Sequence, residues 1–227
     1  MYKLISIVML MLMTSWSYAN DIYVTQSGAS LDLDITQDGS NNTVGNSTTA
    51  SASTGATTIL NIDQIGNSNV IKYQINGATY TGVINLVGNS NDVDLNCDST
   101  GNNSSCGSAN AVINFTGNSN DIDLDIGQTS SATSADVDIV GQSGSDSNVV
   151  AATVDGNSAI LTITINGDTN NYLLDIDGNG DVNGHTLIHS HTGGIADVDI
   201  TQSGTNDNMI TLTTSGDNAD IDISQTD

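Results

Sequence analysis

The sequence predicts an all-β rod: a β-solenoid of about eight two-strand coils with ~22-residue repeats and uncapped ends. Three observations lead there. Glycines recur 11 residues apart at Gly28–Gly39, Gly55–Gly66–Gly77–Gly88, Gly156–Gly167–Gly178 and Gly193–Gly204, and a fixed internal period marks stacked repeats rather than a globular core. Between the glycines, Ile, Val and Leu fall on every second position, as in ADVDITQ (196–202). That is the period of a strand. Finally, all 26 acidic residues are Asp and proline is absent. Asp favours caps and turns over helix interiors, and a chain without Pro keeps every N–H for a ladder.

Residues 1–19 carry Lys3, an apolar run and a small-x-small ending at Ser17-Tyr18-Ala19, the layout of a secretory signal peptide. A secreted or cell-surface protein is expected, with no membrane span in the mature chain, and 20–227 form one repeat domain. Strands are expected at 22–26, 31–37, 42–46, 58–64, 69–75, 79–86, 91–97, 110–116, 120–128, 135–140, 148–154, 158–165, 170–177, 185–191, 195–202, 208–214 and 219–225. Each is bounded by Gly, Asn, Ser or Asp and is rich in strand formers. Insertions are expected at 46–57, 98–109, 129–134 and 178–184. Around 178–194 the phase slips, and 185–191 reads equally as a strand or as part of a looped-out segment. Stacked at ~4.8 Å, the coils would make a rod about 40 Å long.

Period-two alternation assigns the faces. Leu31, Leu33, Ile35 and Gln37 share one face, as do Leu60, Ile62 and Gln64, and Ala219, Ile221, Ile223 and Gln225. A second template begins with Asn: Asn69, Ile71 and Tyr73, or Asn120, Ile122 and Leu124. Aliphatics fill a thin two-sheet core and amides sit at its margins, where stacking one amide on another satisfies donor and acceptor together.

These two templates, aliphatic-x-aliphatic-x-Gln followed by x-Gly-x-x-Asn and a second aliphatic strand, resemble the curlin repeat of curli fibre subunits. The best matches are 31–46, 58–75 and 196–225. The resemblance implies a subunit that is exported unfolded and polymerises into an amyloid-like fibre of the extracellular matrix. It implies partners that are further copies of the chain, other curlin-like subunits and an export apparatus. The amide-ladder positions carried over are Gln26, Gln37, Asn42, Gln64, Asn69, Asn91, Asn120, Gln202, Asn208 and Gln225. Strands such as INLVG (84–88) and INFTG (113–117) lack the terminal Gln. The repeat does not fix the hand of the coil or the subunit's rank in a fibre.

Charge narrows the partners. Loss of the leader leaves 26 acidic groups against Lys72, a net charge of −25, which excludes nucleic acid as a direct partner. Outward Asp pairs (32/34, 92/94, 123/125, 136/138, 175/177, 197/199 and 220/222) point to diffuse cation binding or to a solvated surface. No cofactor is required, but Asp175, Asp177, Asn179 and Asp181 with Gly180 follow the start of a calcium loop, with Thr186 in place of the closing Glu. Cys97 and Cys106 are expected to form a disulfide in an exported chain, stapling a loop outside the repeat. His185, His189 and His191 share a strand face, where a variable turn or a solvated strand accounts for them better than a transition-metal site. With no Glu or Arg and only these histidines, no catalytic constellation forms. The alternative to a fibre subunit is a non-polymerising solenoid, secreted or virion-attached, that binds a surface, a glycan or cations. Thr162/Thr164 and Thr211/Thr213 would be its contacts, although Asp positions interrupt them.

Overall fold

The computed structural model describes residues 21–39, 41–45, 50–66, 68–97, 106–127, 132, 134–142, 144, 146–156, 158–177, 185–204 and 208–226. The expected leader therefore lies outside the described residues, as do 98–105 and 178–184. Among the described residues seventeen strands follow one another: β1 (Asp21–Ile22), β2 (Thr25–Ser27), β3 (Ser30–Asp38), β4 (Asn41–Val44), β5 (Ser51–Ile65), β6 (Ser68–Val87), β7 (Ser90–Cys97), β8 (Ser108–Thr116) and β9 (Asn120–Ile126). They continue as β10 (Ser134–Gly141), β11 (Asn148–Asp155), β12 (Ala159–Asn166), β13 (Thr169–Asp177), β14 (Thr186–Thr192), β15 (Ile195–Ser203), β16 (Met209–Ser215) and β17 (Asn218–Thr226). Every pairing is parallel. No helix occurs among the described residues.

The chain winds as a β-solenoid of about seven turns, close to the eight or so expected. The offset between stacked rungs is 22 residues from Asn69 to Asn91 but 29 from Asn91 to Asn120, so insertions lengthen individual coils. One wall stacks β3, 57–65 of β5, 79–87 of β6, β8, β10, β12, β14 and β16. The other stacks β4, 68–75 of β6, β7, β9, β11, β13, β15 and β17.

Two details differ from the sequence expectation. Residues 51–55 are not insertion: they pair with 73–77 and complete the rung that β4 begins. The segment 185–191 is a true strand, since β14 lies in register between β12 and β16. The phase slip is a change of side chains at the corners, while backbone stacking continues unbroken.

Side chains alternate inward and outward along each strand, as in the burial of β7 and β11. Because pairing is parallel and in register, inward residues form columns. One column reads Ile35, Ile62, Ile84, Ile113, Ile139, Ile163, His189, Leu212. Six stacked isoleucines give a dry interior in which each buried side chain contributes roughly 1.5–3 kcal/mol. The glycine spacing has a steric cause. A Cβ at Gly66 would overlap the carbonyl oxygen of Gly39, and one at Gly117 (φ +143°) would overlap that of Gly88. Turns stacked this closely, one with φ positive, admit only glycine.

The disulfide joins Cys97 and Cys106, with Cα atoms 5.6 Å apart. Cys97 is not outside the repeat, because it fills the inward column between Ile75 and Ile126.

Candidate functional site

The longest polar feature runs inside one corner of the coil. Asn69 donates from Nδ2 to Asn91 Oδ1 (2.7 Å), Asn91 to Asn120, Asn120 to Asn148 and Asn148 to Asn170 (2.5 Å each). All are buried. The second N–H of Asn120 and of Asn170 reaches back to the turn carbonyls of Gly117 and Gly167. These two rungs thus tie their own turn and the next rung, and the amides from Asn69 to Asn148 all donate in the same direction along the axis. At the far end Asn170 Nδ2 meets His191 Nδ1 at 3.1 Å. Since the amide can only donate, Nδ1 accepts and the ring proton sits on Nε2.

The ladder is not the single column that the sequence suggests. Asn148 and Asn170 belong to it as well: Gly167-Asp168-Thr169-Asn170 follows the Gly-x-x-Asn template, whereas the glycine before Asn148 stands one residue further away, at Gly144. Asn42 does not bond Asn69; it donates to the carbonyls of Ile65 and Gln37. Gln64 donates to Gln37 (2.5 Å), but the Gln column then gives way to Leu86 and Phe115. Gln26 donates to Ser30 O. Gln202, Asn208 and Gln225 lie at the opposite corner. Gln225 Nε2 donates to Gln202 Oε1 (3.2 Å), Gln202 to His185 O, and the His185 N–H to Asn208 Oδ1. The amide motif therefore changes corners between β13 and β16.

The histidines also differ from expectation. His185, His189 and His191 are not in a solvated turn or strand: they point inward and are buried. Parity along β14 decides this, because Leu187 between them is a core residue. His191 Nδ1 also lies 3.2 Å from the Tyr172 hydroxyl, and the Tyr172 ring packs edge-on against His189 at 4.2 Å between centroids. Neither nitrogen of His189 finds a hydrogen-bond partner among the described residues. Burial pushes its pKa down to about 4, with His191 adding to the effect. Burial lowers His185 and His191 as well.

The outward acids are concentrated on one wall. On the β4-to-β17 wall, Asp92 stacks on Asp121, Asp94 on Asp123, Asp155 with Asp177, Asp197 on Asp220 and Asp199 on Asp222. Lys72 pairs with Asp94 at 3.6 Å. The opposite wall carries acids only at Asp32, Asp34, Asp38, Asp63, Asp136 and Asp138 among the described residues. Burial raises Asp92, Asp123, Asp155 and Asp175, with neighbouring carboxylates second for all but Asp92, where Lys72 opposes. Asp155 reaches about 6. Shielding by stacked neighbours, more than direct repulsion, thus favours the protonated form of these four carboxyls.

Of the expected calcium ligands, Asp175 and Asp177 lie at the end of β13, where Asp177 accepts from the Ser203 hydroxyl at 2.6 Å. Asn179 and Asp181 lie outside the described residues. Thr162 and Thr164 align with Thr211 and Thr213 through Ile188 and Ser190. No Asp interrupts these three rungs, contrary to the expectation from linear order.

Among the described residues, the outermost rungs leave part of the interior exposed. Every residue of β17 is exposed, Ile221 at 38% and Ile223 at 49%, whereas Val198 and Ile200 beneath them are buried. At the other end Ile22, Leu31 and Leu33 are only partly covered. No protein-family model, curated protein or solved structure matches the chain.

Proposed function

We propose that this protein is a structural subunit of an extracellular, curli-like amyloid fibre that grows head to tail by β-strand addition. The observation that carries the proposal is the match between the two outer rungs. Ile221, Ile223 and Gln225 present an inward pattern with open backbone edges, and Ile22, Val24 and Gln26 repeat it with the same spacing at the other end. Placing one rung on the other sets aliphatic on aliphatic and amide on amide, as β17 already does on β15. Secretion through the leader, assembly with related subunits and a role in matrix or adhesion belong to this proposal. It assigns the protein no catalysis, and Ca²⁺ acts only as a counterion to the Asp columns.

Electron microscopy and fibre diffraction of the purified mature chain test it. The expected result is unbranched fibres with a ~4.8 Å repeat along the axis. Protein that stays monomeric for days at high concentration, with full β signal by circular dichroism, would refute it and favour a solenoid that binds a surface.

A further inference from the structure

The sorting of charge gives the rod two unlike sides, and the less charged side has a consequence for assembly. On β12, β14 and β16 the outward columns read Thr162–Ile188–Thr211 and Thr164–Ser190–Thr213. Ile188 is 38% exposed. These three rungs form a flat sheet face without an ionisable side chain, on a chain whose net charge is −25 without its leader.

Such a face can be approached by another highly acidic rod. Acidic wall against acidic wall is repelled at every stacked Asp pair, and one acidic wall against a neutral face strands carboxylates away from water. Neutral face against neutral face avoids both penalties. We propose that this β12–β14–β16 face is the lateral contact between copies of the chain, by which neighbouring filaments pack side by side. This rests on the fibre proposal and names the partner of a second surface, distinct from the growing ends.

Size decides when the contact forms. Three rungs at ~4.8 Å and seven residues at ~3.3 Å give a patch of about 300 Å², well below the ~800 Å² per partner of a stable pair. Two soluble rods therefore meet through it only weakly and transiently, at about millimolar concentration. In a filament the patch recurs once per subunit, and many weak contacts engaged at once hold firmly. Lateral packing thus follows polymerisation and does not precede it.

The test compares three mature proteins. One is wild type. The second carries Thr162→Asp with Ile188→Asp on the neutral face. The third carries Val149→Asp with Asn171→Asp, an exposed adjacent-rung pair within the acidic wall that adds the same charge. Asp138 already occupies the Thr162 column, so an acid is compatible with that position in the sheet, and Thr164→Asp alone serves as a milder variant. All should form filaments. Bundles counted by electron microscopy should fall about tenfold for the neutral-face variants only, and wild-type bundles should survive a chelator. Unchanged bundling in the neutral-face variants, equal loss in the acidic-wall variant, or dissolution by chelator alone overturns the proposal. If no protein forms filaments, the fibre proposal fails by itself, and methyl NMR of the rods at millimolar concentration takes over. Concentration-dependent shifts confined to Thr162, Ile188 and Thr211 uphold the lateral contact, and their absence overturns it.

Discussion

Replacing His189 by Ile would extend a column of six isoleucines and remove a buried imidazole with two unpartnered nitrogens. The side chains are similar in volume, so the site need not repack. Relief of an unsatisfied buried polar group is worth about 1–3 kcal/mol, and the added apolar burial contributes in the same direction. His189→Ile should therefore be roughly 2–4 kcal/mol more stable than wild type at pH 7. The difference should also depend on pH. With a folded pKa of about 4 against 6.5 unfolded, the unfolded chain binds the extra proton between those values. Wild type thus has no protonation penalty above pH 6.5, loses stability as pH falls, and reaches a full penalty of roughly 3 kcal/mol below pH 4. Urea unfolding of both soluble proteins by circular dichroism at pH 7, 5.5 and 4 reads this directly. The Asp contributions are common to both and cancel. A variant that is less stable than wild type, or a gap that does not widen on acidification, would refute the assignment of His189 as a strained core residue.

Asn120→Leu removes the middle of the amide ladder and takes a donor from Asn148 and an acceptor from Asn91. It should cost about 2–4 kcal/mol by urea unfolding; no loss would mean that the ladder is dispensable. The Asp155 carboxyl should titrate near pH 6 by ¹³C NMR. Because its folded pKa is raised, stability present at low pH is lost as pH rises towards 6, and Asp155→Asn should gain about 1 kcal/mol at pH 7, after allowance for solvent screening, and nothing near pH 3. Non-reducing mass spectrometry should find Cys97 and Cys106 joined, and reduction should cost only a few kcal/mol because the closed loop is short. Millimolar Ca²⁺ should shorten the lag of assembly at pH 7 by offsetting carboxylate repulsion, and monovalent salt should do so less efficiently. Identical lag times would leave the Asp columns as passive surface.

Local chemistry determined much of this protein from the sequence alone. Alternation has a period of two, so a strand declares its own faces, and Ile62 or Val93 is core wherever its rung is stacked. Turn glycines at 11-residue spacing declare the corners, because a Cβ there would strike the turn below. The outward Asp pairs follow from the same parity. What the tertiary structure decided is which rung lies on which. Offsets that vary from 22 to 29 residues break any linear count, so the continuity of Asn91, Asn120, Asn148 and Asn170 became visible only once the coils were closed. The same closure put His189 at the end of an isoleucine column, because the strand β14 carries it inward past the slip in phase. It also separated a strongly acidic wall from one whose β12–β14–β16 face carries no outward ionisable side chain. Assignment to a wall depends on how many turns precede a strand. The strand's own residues carry no such information, whereas the packed coil fixes it.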